Sequence, residues 1–183
     1  MKSQDIVLLL KLVALQQQEK EATNSVTAAN YTVRGLAEAT GISKSEVSNS
    51  LNRCTKIGLA KPDRKSNIPR TNVKALTEFI IYGLKYVFPA EVKEISRGIP
   101  TSFAAPVLQG KIMSAGELIY VWPDANGSKK GRAVTPLCKS VALAIAKDPL
   151  LYEYLALVDA VRLGNPREVE VAKQALSERL GAL

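Results

Sequence analysis

Residues 33–58 read VRGLAEATGISKSEVSNSLNRCTKIG, and this stretch decides the N-terminal fold. Val33, Leu36 and Ala37 stand at i, i+3, i+4 spacing, the mark of one buried helix face, with Thr32 ahead of them as N-cap. Gly41 offers the left-handed conformation that ends a helix, Ile42 can fill the corner, and Ser43 can cap a second helix. Ser43-Lys44-Ser45-Glu46 has the S-x-x-E pattern of a capping box, which predicts that this second helix runs from Lys44 to Ile57 with Gly58 ending it. On a helical wheel Val47, Ser50, Leu51 and Cys54 share one narrow side, expected to be buried. The opposite side carries Ser45, Asn49, Asn52 and Lys56, flanked by Ser48 and Arg53, and Glu46 is the only acid of the helix. An ordinary solvated face mixes Glu with Lys for i,i+4 pairing. This one presents small hydroxyls, carboxamides and cations, the groups that read base edges in a major groove.

Two short helices joined by a glycine-containing turn describe a helix-turn-helix. The portion LAEATGISKSEVSNSLNRC, residues 36–54, resembles the DNA-binding module of bacterial winged-helix transcriptional regulators of the MarR-like kind. That resemblance implies double-stranded DNA as partner, with the helix that starts at Lys44 lying in the major groove. Ser45, Ser48, Asn49 and Asn52 would then contact base edges, and Arg53 and Lys56 bases or phosphates. Backbone N–H groups near Thr32, together with Tyr31 and Arg34, would grip a phosphate at the start of the preceding helix.

The next residues suit the winged version. Leu59-Ala60-Lys61 reads as a short strand, Pro62 to Arg70 as a polar, turn-rich tip, and Thr71-Asn72-Val73 as the return. Arg64, Lys65 and Arg70 are placed to neutralise phosphates, contacts that set register and salt dependence. From Asn72 a helix is predicted through Leu76, Phe79, Ile80 and Leu84 to about Tyr86. The domain boundary is set near Phe88-Pro89, giving a DNA-binding domain over 1–88 and a second domain over 89–183 for dimerisation, effector or partner binding.

Upstream, Ser3 is placed as the cap of an amphipathic first helix through Ile6–Leu15, fading near Ala22. Asp5 ahead of the apolar run and Lys11 within it argue against a signal peptide. Residues 89–138 are rich in Pro and Gly. Glu117–Trp122 reads as a strand, Pro123–Gly127 as a turn, and Gly131–Val134 as a returning segment, a hairpin with Lys129, Lys130 and Arg132 at its tip. Asp148-Pro149 and Asn165-Pro166 each start a closing helix, the first ending at Gly164 and the second near Leu180. The fold class expected is α+β, mainly α: a winged helix-turn-helix domain, then a small mixed region ending in two helices.

Composition narrows the function. The 183 residues hold 46% apolar and 23% charged types, enough for a packed core. Histidine is absent, which excludes Ser-His-Asp and Cys-His catalysis and histidine-ligated zinc. Glu91 and Glu94 are the nearest approach to a paired acid site and lack a third ligand or base, so no enzyme, cofactor or metal is expected. Cys54 and Cys138 are far apart and read as reduced thiols of a cytoplasmic protein. No uncharged run suffices to span a bilayer, so no membrane partner is expected. Of the net charge of +8, residues 1–75 carry twelve basic and six acidic side chains, and residues 144–183 five and six. The positive field therefore gathers in the N-terminal part, where it attracts polyanions. The expectation is a sequence-specific, dimeric DNA-binding regulator repressing its own operon. The alternative is an antitoxin or adaptor whose residues 89–183 bind a partner protein, with DNA binding used for autoregulation.

Overall fold

The computed structural model describes residues 1–21, 26–111 and 118–181. The fold is α+β and mainly helical, and the chain divides into two compact units. The first comprises Met1–Thr77, Leu137–Leu151 and the residues from Leu180; the second comprises Glu78–Pro136 and Tyr152–Arg179. The expected division at Phe88-Pro89 is thus corrected in two respects. The boundary falls between Thr77 and Glu78, and a segment from the C-terminal half returns to the first unit.

The first unit begins with α1 (Ser3–Lys20), capped one residue earlier than expected, at Lys2, whose N–H donates to Asp5 Oδ2 at 2.8 Å. The helix is buried continuously from Asp5 to Leu15, so it is not amphipathic. A helix apolar all round is stable only in an interior. Its two inward charges are both paired: Asp5 with Arg53, and Lys11 with Asp148. The expected fade near Ala22 falls outside the described residues.

A 3-10 turn (Ala28–Tyr31) leads into α2 (Val33–Thr40) and α3 (Lys44–Lys56). Gly41, at φ +68°, makes the corner between them. A side chain there would also strike Ser140 Cβ, whose residue donates its hydroxyl to the Thr40 carbonyl at 2.7 Å. This contact docks α6 (Val141–Ile145), an element with no sequence forecast, against the turn. β1 (Ala60–Pro62) and β2 (Pro69–Thr71) form a two-stranded antiparallel ribbon, pairing Ala60 with Thr71 and Pro62 with Pro69. Next, α4 (Val73–Tyr82) stops at Gly83, and a separate short α5 (Leu84–Val87) replaces the continuous helix expected to Tyr86. The core gathers Leu8, Leu12, Leu15, Tyr31, Leu36, Ile42 and Val47.

In the second unit, β3 (Val92–Thr101), β4 (Tyr120–Pro123) and β5 (Lys129–Val134) close into a three-stranded barrel. β3 runs antiparallel to both neighbours, and β4 and β5 run parallel to each other. The expected hairpin is therefore corrected: its two segments do not pair antiparallel, because each takes β3 as its antiparallel partner. Glu117, the first residue of the expected strand, lies outside the described residues. The turn between β4 and β5 crosses β3 at Gly98, where a Cβ on Gly127 would run into the Gly98 backbone and one on Gly98 into the Trp122 carbonyl. Gly98→Ala is therefore expected to destabilise the fold by about 1–3 kcal/mol, since the obstacle is backbone with no rotamer to relax into. Urea denaturation of the variant measures it.

The closing helices are α7 (Pro149–Leu163) and α8 (Pro166–Gly181), with the expected caps. Asp148 accepts from the Leu151 N–H, while Asn165 and Glu168 cap each other's N–H groups reciprocally. Within the second unit, Asp159 on α7 is 1% exposed and accepts from Thr101 Oγ1, Trp122 Nε1 and Arg162 at 2.9, 2.7 and 2.6 Å. Arg162 also donates to the Phe88 and Pro89 carbonyls. Helix, barrel and the end of α5 meet at this polar knot.

Candidate nucleic-acid interface

Thr32 caps α2 as its sequence predicts, accepting from the Gly35 N–H at 3.0 Å. Its hydroxyl donates to the Ala29 carbonyl, and its own N–H is also bonded to Ala29. Thr32 itself is thus fully engaged in the turn, and Val33 and Arg34 bring the next two N–H groups to the helix start. Arg34 is exposed and pairs with Glu38 one turn on at 2.9 Å. A surface pair of this kind is weak and exchanges readily for a phosphate.

α3 divides as its wheel predicts. Val47, Ser50 and Cys54 are buried, while Lys44, Ser45, Ser48, Asn49, Asn52 and Lys56 are exposed. Burial pushes the Cys54 thiol up to about 11, so it stays a neutral thiol in the core. Ser43 accepts from the Glu46 N–H at 3.3 Å, but the reciprocal half of the capping box is absent. The Glu46 carboxylate instead takes Lys2 Nζ at 2.9 Å and Gln4 Nε2 at 2.6 Å. The Lys2 hydrogen bond first, then the charges of Lys2 and Arg53, hold Glu46 below the usual carboxylate range. The single acid of α3 is thereby neutralised by the start of α1, and the exposed face keeps its cations.

At the ribbon tip, one Asp63 oxygen accepts from the Lys65 N–H, the Ser66 N–H and the Ser66 hydroxyl at 3.0, 2.8 and 2.8 Å. These bonds, first the Ser66 N–H, hold Asp63 down at about 2. Asn67 closes the tip in the left-handed region at φ +56°. The turn so built presents Arg64 and Lys65 to solvent. Lys61, on β1, is exposed as well. Sequence reading passed over it, although a cation between the apolar Leu59-Ala60 and the basic tip was the available signal.

Three expected site residues are withdrawn. Arg53 donates through Nε and Nη2 to both oxygens of Asp5, at 3.0 and 2.7 Å. It serves the interior, because Asp5 is fully buried and needs a counter-charge. Arg70 donates to Glu19 and to the Tyr31 hydroxyl, with its guanidinium 4.9 Å from the centre of the Tyr31 ring. Tyr31 is 3% exposed, and burial raises its phenol well above the ordinary value. Arg70 and Tyr31 thus tie the end of α1 to β2. Ten of the thirteen predicted residues remain at the surface.

The first unit carries fourteen basic and seven acidic side chains, the second eleven and ten. The returning segment adds Lys139 and Lys147 to the unit that holds α3. The chain matches no protein-family model, and neither a curated protein nor a solved structure matches it. Among the described residues, no helix is long and apolar enough to cross a membrane.

Proposed function

We propose that the chain is a sequence-specific double-stranded DNA-binding transcriptional regulator, with α2, α3 and the β1–β2 ribbon as a winged helix-turn-helix. One observation carries the reading: α3 buries its apolar side and leaves Ser45, Ser48, Asn49, Asn52 and Lys56 exposed beside a cationic ribbon tip. α3 enters the major groove, where the two carboxamides and the serines reach base edges. Lys44, Lys56, Arg64, Lys65 and Arg34 neutralise phosphates, with the α2 N-terminus contributing backbone N–H groups. The protein acts as a dimeric repressor of its own operon, on a palindrome with half-sites about 10 base pairs or a multiple apart.

Selection of bound sequences, followed by anisotropy titrations at several salt concentrations, tests this. Asn49→Ala and Asn52→Ala are each expected to cost about 1–3 kcal/mol on the selected site and to relax base preference. Arg64→Ala and Lys65→Ala weaken all sequences alike and reduce the salt slope by about one unit each. Undiminished preference in the double asparagine variant would overturn the proposal.

A second reading, an antitoxin or adaptor that masks a partner protein, is favoured by the exposed apolar side chains of the second unit. Tyr82 and Tyr86 are 71% and 74% exposed, and Val87 and Ile95 also face solvent. Protection of the operator by this chain alone supports the regulator. Protection only together with the product of a neighbouring gene supports the adaptor.

A further inference from the structure

Lys11 is the one charged residue in the otherwise apolar run from Ile6 to Leu15 of α1, and it is 8% exposed. Its ammonium donates to Asp148 Oδ2 at 2.7 Å, while Asp148 Oδ1 caps α7 through the Leu151 N–H. As a device for stability this is poor, since a well-packed apolar residue commonly does as well as a buried ion pair. An ammonium has three donors, and Asp148 takes one of them.

Lys11 and Asp148 line a cavity of about 440 Å³ within the first unit. That volume lies in the range of small-molecule sites. Its other charged walls are Glu38 on α2 and Lys147, and its apolar wall includes Ala39 and Leu143. Two cations and two carboxylates therefore line one small space, Lys11 already paired with Asp148 and Glu38 with Arg34. A simple anion entering it would meet two carboxylates, and a simple cation two ammonium groups. A ligand carrying both signs can set an opposite charge against each of these groups, using the spare Lys11 donors and exchanging with the weak exposed Arg34–Glu38 pair.

We propose that this cavity binds a free α-amino acid with a short aliphatic side chain. Its carboxylate lies on Lys11 and Lys147, its ammonium toward Glu38 and Asp148, and its side chain against Ala39 and Leu143. The site goes beyond the DNA-binding reading and stands independently of it.

Calorimetric titration of the full chain with L-leucine, in the absence of DNA, tests the proposal. Saturable heat at one leucine per chain is expected. 3-Methylbutanoate and 3-methylbutylamine, each lacking one of the two charges, should bind at least about tenfold more weakly. Lys147→Glu, at an exposed position, should weaken leucine by a similar factor. Lys11→Met with Asp148→Asn, which removes both buried charges and keeps a cap for α7, should abolish binding. Circular dichroism and the melting transition establish that each variant is folded. Absence of saturable heat overturns the proposal, as does 3-methylbutanoate binding as tightly as leucine, or folded variants that bind leucine undiminished.

Discussion

Replacing Arg162 by methionine is expected to lower the unfolding free energy by about 3–5 kcal/mol, because the change leaves the Asp159 carboxylate buried without its counter-charge. Both side chains are almost wholly enclosed, at 3% and 2% exposure, so solvent does little to screen the loss. The Phe88 and Pro89 carbonyls also lose their donor. Adding Asp159→Asn should recover a substantial part of the loss, since an amide oxygen still accepts from Thr101 and Trp122 and carries no charge. The variant's pH dependence has a definite sign. In the native protein burial already pushes the Asp159 carboxyl above its ordinary value, against the pull of Arg162, Thr101 and Trp122. Without Arg162 the folded value rises further, so the folded state binds the proton more tightly than the unfolded chain does. Stability of Arg162→Met is then greatest below the unfolded carboxyl value, about 3.9, and falls as pH rises toward the folded value. The melting-temperature deficit against the parent should therefore widen as pH rises above the unfolded carboxyl value. A constant deficit would show that the lost carbonyl contacts, rather than the Asp159 charge, dominate.

Arg53→Met should lose about 3 kcal/mol, the lower end of the range for breaking a buried pair, because the arginine is 28% exposed while Asp5 is fully enclosed. Burial raises the Asp5 carboxyl, but the Arg53 hydrogen bonds and the Lys2 N–H outweigh it and hold the group below its ordinary value. The stabilisation is thus present above the unfolded carboxyl value and disappears as pH falls through the lower folded value. Chemical denaturation from neutral pH downward should show the stability gap between the parent and Arg53→Met narrowing as the parent loses this increment. The same variant discriminates between two roles. If Arg53 serves the core, DNA affinity corrected for the folded fraction keeps its base preference. If preference changes while stability does not, Arg53 belongs to the duplex after all.

How much was legible from the sequence depends on the range of the interaction. The α2–Gly41–α3 segment was read to within a residue, because Thr32, Gly41, Ser43 and Gly58 act on backbone groups only a few positions away. The caps of α7 and α8 at Asp148 and Asn165 were legible for the same reason. The exposure of Ser45, Ser48, Asn49, Asn52 and Lys56 on α3 followed from helical periodicity alone. β3 was not legible: Gly98 and Pro100 read as breakers, whereas the folded chain uses Gly98 for a crossing of backbones and the Pro100 carbonyl as acceptor for Tyr152. α6 is a single short turn whose position is set by the contact of Ser140 with Thr40, one hundred residues away.

By itself, then, the sequence determined the local elements, their caps, the sidedness of α3 and the basic character of the N-terminal part. All of these stem from spacings of a few residues or from charge counts. Only the tertiary structure decided which charges are used up inside. Arg53 turns to Asp5, Arg70 to Glu19 and Tyr31, and Lys11 to Asp148, partners 48, 51 and 39, and 137 positions away. A cation's type and position in the chain do not reveal whether a carboxylate desolvated by folding will claim it. That depends on where the backbone brings the acid, and a buried acid without a counter-charge costs more than a surface cation gains from solvent.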